Sequence, residues 1–199
     1  MLYNKNNLSV AKIASVNALK PELASVLFTK THTAATDGFR LLEMSVDASA
    51  NIEDYPQANG VSAMRGFKPF LVNAKALAEV KPPTKTSLPI LQYVAIKHVD
   101  QTRVEFVSMT GDMEAHVSTV RRVEGEFPNY EPLFPAGEPV ASVRVNGVYL
   151  AELAKLMGDM LKLQVLDIEF YGAGKPLVLH AESEHGRQKS RALLMPIRI

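Results

Sequence analysis

The residues best suited to proton transfer or metal ligation are five histidines, His32, His98, His116, His180 and His185. They fall in apparent strands or turns, with no H-x-x-x-H pair on a helix and no other recognisable ligand spacing, so surface or half-buried strand positions account for most of them. Cysteine is absent, which removes disulfides, zinc-thiolate sites and a Cys nucleophile. No G-x-S-x-G, P-loop or G-x-G-x-x-G occurs. Gly172-Ala173-Gly174-Lys175 resembles a phosphate loop only superficially, because it joins two strands rather than opening a helix. Glu182, Glu184 and His185 would form an acid/base cluster if folded together, but a polar hairpin end explains them better. The chain is therefore read as a non-enzyme needing no cofactor and no metal.

The chemistry left is charge and apolar contact. With 22 Lys and Arg against 21 Asp and Glu, the net charge is +1, so binding nucleic acid would require positive charge gathered on one face. The candidates on or near two helical segments are Lys68, Lys75, Lys81, Lys85, Lys155 and Lys162. Glu79, Glu152 and Asp159 share those surfaces, and a solvated helix face accounts for the pattern at least as well. Arg65, Arg121, Arg122, Arg187 and Arg191 lie in strands or loops and take no face from sequence.

What positions these side chains is a repeated unit. FLVNAKALAEV around Asn73 and VRVNGVYLAEL around Asn146 share Val, Asn and then Leu-Ala-Glu at matching offsets. In each, an extended apolar run (Phe70 to Val72; Val143 to Val145) meets an Asn, a favoured N-cap. Tyr149, Leu150, Leu153, Leu156, Met157 and Met160 recur at helical spacing and predict a buried face, with Glu152, Lys155 and Asp159 opposite. The first copy is shorter, with Ala74, Leu77 and Val80 on one side and Pro82-Pro83 as its stop. Three strand-like runs follow each helix: LQYVAIKHV, TRVEFVSM and EAHVSTVRRV, then LQVLDIEFY, PLVLHAES and SRALLMPI, separated by Asp and Gly breakers. The segments NLSVAKIASV, LASVLFTKTHTAA and GFRLLEMSV read as strands with no long helix between them, and 47–65 reads as a surface loop. A proline-rich connector around Pro128 to Pro139 marks a boundary, giving domains 1–138 and 139–199.

The 199 residues, 47% of them hydrophobic, suffice for a globular core. No stretch approaches the ~18 apolar residues of a membrane helix, and the first residues lack a secretory h-region. No membrane association and a cytoplasmic location are the expectations.

Three segments in order resemble the bacterial DNA sliding clamp (DNA polymerase III beta subunit) family. Ala35-Thr36-Asp37-Gly38-Phe39-Arg40-Leu41 is similar to that family's ATDGHRL hairpin, with Phe39 replacing the usual His. Val123-Glu124-Gly125-Glu126-Phe127-Pro128-Asn129-Tyr130, with Leu133 and Pro135, is similar to its DGRFPDY segment, and Met195-Pro196-Ile197-Arg198-Ile199 to its C-terminal MPMRL. Leu23 to Pro135 resembles most of a middle clamp domain, and Ala141 to Ile199 the second half of the last one. A first clamp domain is missing, the helix expected before Leu23 is reduced, and half a domain is absent between Pro135 and Ala141.

The resemblance implies an α+β, clamp-like fold of repeated β-α-β-β-β units, antiparallel sheets carrying helices on one face. It implies a replication or repair processivity factor that takes partner peptides into a groove of Leu23, Thr36, Gly38, Phe39, Arg40, Leu41, Pro135, Leu193, Met195, Pro196, Ile197 and Arg198. On the residues alone, Leu193 to Ile197 reads better as a last strand with its Pro-ended exit, and Leu41 as ordinary core. It further implies non-specific double-stranded DNA as a partner, met by Lys75, Lys81, Lys155 and Lys162 on helices lining a hole. Polymerases or repair proteins carrying clamp-binding peptides, a clamp loader and a homo-oligomeric ring follow as expectations. The alternative is a clamp-derived module or decoy that binds the peptides without DNA.

Overall fold

Each described α-helix begins at an asparagine that ends an extended apolar segment and lies four residues before a leucine: Asn4 and Leu8, Asn73 and Leu77, Asn146 and Leu150. The side-chain oxygen of Asn4 accepts from the N–H groups of Asn6 and Asn7, that of Asn73 from Lys75, and that of Asn146 from Val148 and Tyr149. Donors left without partners in a first turn are thereby satisfied. The computed structural model describes residues 1–17, 19–56, 67–80, 88–112, 114–172, 174–184, 186 and 188–197. They divide into two compact units, Met1–Pro132 and Leu133–Ile199.

The first unit holds two β-α-β-β-β repeats. One is β1 (Leu2–Asn4), α1 (Lys5–Ser9) and β2, β3 and β4 (Ser25–Phe28, His32–Thr36, Leu41–Ser45); the other is β5 (Phe70–Asn73), α2 (Ala74–Leu77) and β6, β7 and β8 (Tyr93–His98, Arg103–Met109, Ala115–Val123). They form one antiparallel sheet in the order β1-β6-β7-β8-β5-β2-β3-β4. The repeats exchange their first strands: β1 pairs with β6 through Tyr3↔Val94, and β5 pairs with β2 through Val72↔Val26. The core records the exchange. Phe28 stacks on Phe70 with centroids 5.1 Å apart and meets Tyr3 and Phe106 edge-on at 5.2 and 5.6 Å, so aromatic rings from both repeats close one cluster.

Two expectations fail in this unit. Residues 7–13, read as strand, are helical, α1 running into a 3-10 turn at Val10–Ile13. The reason is a capping box between Asn4 and Asn7, together with the buried Asn7 amide, which donates to the carbonyls of Met44 and Ser45 at 3.1 Å each. Those bonds require the helical placement of Asn7 and override the strand-like alternation around it. The segment 47–65 is not all surface loop, since Tyr55 is buried with its hydroxyl 2.9 Å from the carbonyl of Val107; residues 57–65 of that stretch, like Pro82-Pro83, lie outside the described residues.

The second unit is a single repeat: α3 (Gly147–Leu161), then β9 (Asp167–Phe170), β10 (Leu177–Glu182) and β11 (Lys189–Leu194), in sheet order β11-β10-β9. Met157, Leu150, Leu153 and Leu161 pack on Leu177, Leu179 and Leu194. Tyr149, Leu156 and Met160, assigned from sequence to that same face, are exposed; the apolar stripe of α3 is wider than the sheet it covers. Val143 to Val145, expected as a strand, is extended chain in which, among the described residues, one backbone bond is seen, from the N–H of Ile197 to the carbonyl of Arg144 at 2.8 Å. A strand needs a ladder, and one bond does not make one.

Candidate functional site

The turn from β3 to β4 is organised by Asp37. Its carboxylate accepts from the N–H groups of Phe39 and Arg40 at 3.0 and 3.1 Å and from Arg40 Nε at 3.0 Å, and Gly38 adopts φ +93°, a backbone open to glycine at little cost. Thr36 Oγ1 donates to the Arg40 carbonyl at 2.8 Å and accepts from Gly38 N–H. The Phe39 N–H, then the Arg40 side chain, hold the Asp37 carboxyl below its ordinary value. The result is a fixed polar loop presenting one aromatic ring, Phe39, at 99% exposure. Arg40 is engaged by Asp37, as Arg103 is by Asp100 in the turn between β6 and β7, so part of its hydrogen-bonding capacity serves the turn. Leu23 and Leu41 are half-buried, and Leu41 closes the hairpin opposite Thr36.

The EGEFPNY segment packs back onto this hairpin. Tyr130 is buried, and its hydroxyl donates to Glu43 Oε2 at 2.6 Å and lies 2.8 Å from His32 Nε2. With the Tyr130 O–H directed at Glu43, His32 Nε2–H donates to the phenol oxygen and Thr31 donates to Nδ1, 2.9 Å away. Burial, then the Glu43 carboxylate, push the Tyr130 hydroxyl well above its usual range. Phe127 meets Tyr130 edge-on at 5.8 Å. The VEGEFPNY segment is therefore tied to the strands that flank the Asp37 turn by contacts spanning 98 and 87 residues of sequence, which no local pattern announces.

In the second unit, β11 and the chain after it alternate: Leu194 is buried in the core, while Leu193, Met195 and Ile197 are exposed and Pro196 is half-buried. Period-two alternation places Leu193, Met195 and Ile197 together on the outer side of the sheet. Pro135 lies in an exposed segment. Arg198 is outside the described residues.

The cationic candidates separate. Lys75 is exposed in the first turn of α2. Lys155 is exposed and paired with Asp159. Lys162 is exposed and ends α3 in a left-handed conformation, φ 54°. Lys81 and Lys85 lie outside the described residues. Sequence reasoning missed Lys5 and Lys12, which with Lys75 line a groove of about 620 Å³ between α1, the 3-10 turn and α2 over apolar Leu8, Ala11 and Leu77. The signal existed, an Asn-x-x-x-Leu echo at Asn4, but the strand reading of 7–13 hid it.

Among the described residues no group of three His, Asp or Glu could hold a metal. His180 pairs with Glu169 at 3.2 Å and Glu182 with Lys189 at 2.9 Å, and Gly172 and Gly174 lie between β9 and β10, where the Lys175 N–H donates to the Gly172 carbonyl. No described helix is long and apolar enough to cross a membrane.

No protein-family model matches the chain, and no curated protein matches it. Solved structures do. The beta subunit of a DNA polymerase from Streptococcus pyogenes aligns with TM-score 0.67 and 16% identity over 100% of this chain and 50% of its own. The DNA polymerase sliding clamp of Bacillus subtilis aligns with TM-score 0.63 and 15% identity over 98% and 48%. A DNA polymerase III subunit beta sliding clamp from Pseudomonas aeruginosa, bound to griselimycin, aligns with TM-score 0.61 and 16% identity over 100% and 51%. The chain thus spans about half the length of the structures it resembles, and with its reciprocal strand exchange and antiparallel sheets it has the α+β fold of the bacterial DNA sliding clamp.

Proposed function

We propose that this chain is a non-catalytic, clamp-type processivity factor of DNA replication or repair, binding apolar peptides of polymerases or repair proteins. The residues assigned to the peptide are Leu23, Thr36, Gly38, Phe39, Arg40 and Leu41 on the first unit, and Pro135, Leu193, Met195, Pro196, Ile197 and Arg198 on the second. The observation that carries the reading is Phe39, a fully exposed aromatic held on a turn whose backbone is fixed by Asp37. A rigid apolar anchor loses little entropy on binding, which is what a short peptide of modest affinity needs. The exposed methionine and aliphatic side chains Leu193, Met195 and Ile197 supply adaptable contact.

The test is fluorescence anisotropy with a labelled peptide carrying Leu and Phe anchors and a free carboxylate. Phe39→Ala and Met195→Ala should each weaken binding about tenfold while leaving thermal unfolding unchanged. A peptide that binds both variants as tightly as the parent chain, or binds none of the three, sinks the reading.

Encircling of double-stranded DNA by a homo-oligomer opened by a loader belongs to the same proposal, with Lys75, Lys81, Lys155 and Lys162 toward the phosphates. Salt-dependent retention on circular but not linear DNA is its readout. The pairing of Lys155 with Asp159 favours the second reading, a module that binds the peptides without DNA; such a chain keeps its peptide affinity and shows no retention.

A further inference from the structure

The first unit states how a β-α-β-β-β repeat is completed, and the second unit holds only one repeat. In the first, each N-cap Asn stands opposite the first residue of the strand that follows the other repeat's helix: Asn4↔Tyr93 and Asn73↔Ser25. The residue before the cap, Tyr3 or Val72, faces Val94 or Val26, and all four are fully buried. The position three before Asn73 is Phe70, opposite Phe28, and both are buried.

The corresponding residues of the second unit have the chemistry, and among the described residues no strand pairs with them on that edge. Asn146 is the cap, Val143 to Val145 the incoming segment, and β9 the strand that follows the helix. Among the described residues β9 is hydrogen-bonded to β10 alone. Phe170 and Ile168, the counterparts of Phe28 and Val26, are 59% and 43% exposed where those are 0%. The incoming segment is already seated on its own side: the Arg144–Ile197 bond places it beside the end of β11 as Leu71↔Val123 places β5 beside β8. Its other edge and the open edge of β9 are the two complementary vacancies of one pattern.

We propose that a second copy of this chain fills them: Val143 to Val145 of each copy adds to β9 of the other about a twofold axis, producing an eight-stranded unit like the first. The register carried over from the first unit sets Asn146 of the partner subunit opposite Asp167, the partner's Val145 opposite Ile168, the partner's Arg144 opposite Glu169 and the partner's Val143 opposite Phe170. Both members of every pair are on one chain, so the surface is self-complementary, as an isologous interface requires. The apolar pairs cover the exposed Ile168 and Phe170, and the Arg144–Glu169 pair is of opposite charge and lies on the other face. On α3, Tyr149, Leu153, Leu156 and Met160 form a flank beside the buried face; in the first unit the corresponding helices border a common groove, and here the neighbour is the partner's α3. An open apolar edge strand left uncovered would invite uncontrolled pairing, and specific closure removes it.

The proposal is independent of peptide or DNA binding. Light scattering and analytical ultracentrifugation of the whole chain should find a dimer. Arg144→Glu, at an exposed position, and Glu169→Arg, at a half-buried one, should each weaken it about tenfold by setting like charges opposite one another at two symmetric positions, and the double variant should restore it. Phe170→Asp should give a monomer with the circular dichroism of the parent chain. A monomeric parent, or a dimer indifferent to all these variants, overturns the proposal; a dimer lost in both single variants and not recovered in the double overturns the register.

Discussion

Tyr130→Phe isolates one hydroxyl that joins the Glu-Gly-Glu-Phe-Pro segment to the β3–β4 hairpin. The ring stays, so packing against Phe127 and His32 is retained, and what is lost is the bond to Glu43 at 2.6 Å and the contact with His32 at 2.8 Å. A bond to a charged acceptor contributes about 1.5–3 kcal/mol and a neutral one about 0.5–1.5. Both figures must be discounted, because the Glu43 side chain is 36% exposed and recovers water, while His32, at 16%, recovers less. The loss should be about 1–2 kcal/mol, enough to shift a local opening equilibrium roughly 5–30-fold. Amide exchange of residues 32–45 reads this directly, with the amides of β7 as an internal control. Combining Tyr130→Phe with Glu43→Ala gives a double-mutant cycle whose coupling should approach the single-variant loss. Unchanged hairpin exchange in Tyr130→Phe, or strictly additive losses in the cycle, would refute the claim that this hydroxyl ties the segments together.

Two further outcomes follow from the caps and the carboxylates. Asn146→Ala removes the acceptor for Val148 and Tyr149 N–H and should cost about 1 kcal/mol, seen as faster exchange in the first turn of α3 with β7 unaffected. Asp47 accepts from the Ser49 hydroxyl, the Tyr93 hydroxyl and the Ser49 N–H, which lower its carboxyl from 3.8 to about 2. A carboxyl depressed in the folded state stabilises it fully above the ordinary value and loses that contribution as pH falls from about 4 toward 2. Parent and Asp47→Asn unfolding curves should therefore differ at neutral pH and converge in that acid window; curves that stay parallel would show that Asp47 has no such role.

Much of the fold was legible because two signals are local. The breakers at Asp100-Gln101, Gly111-Asp112 and Gly172 to Gly174 delimit the strands after α2 and α3, since turn residues act through their own backbone preferences. Asn73 and Asn146 announce their helices because an N-cap needs nothing beyond the next three residues. Residues 7–13 were misread for the converse reason: the bonds that hold Asn7 run to the distant carbonyls of Met44 and Ser45, and the strand-like composition around Leu8 and Val10 masked the Asn-x-x-x-Leu echo at Asn4. Of the candidate site, the Asp37-Gly38 turn was readable, whereas the Tyr130–Glu43–His32 cluster is made by tertiary contact alone. Lys5 and Lys12 were lost with the helix that carries them.

The misassigned apolar residues of α3 show how a failure of local reasoning can itself carry information. Spacing groups Tyr149, Leu156 and Met160 with Leu153 and Met157, and spacing was correct about the stripe. What a single chain cannot supply is the surface that the stripe is shaped to meet. In the first unit the same residue pattern is satisfied within the chain, because each repeat finds the other, and Phe28, Val26 and Leu77 are buried as a result. In the second, Phe170 and Ile168, the matches of Phe28 and Val26, are exposed, while Leu150, the match of Leu77, packs in the unit's own core. Exposure of scattered apolar residues is ordinary, and the second unit has others, Val165, Leu193 and Met195 among them; what makes Ile168 and Phe170 informative is that their counterparts in the first unit are fully buried against another repeat. The sequence periodicity of α3 thus describes a completed unit, and the single repeat is the part of it that one copy of the chain can build.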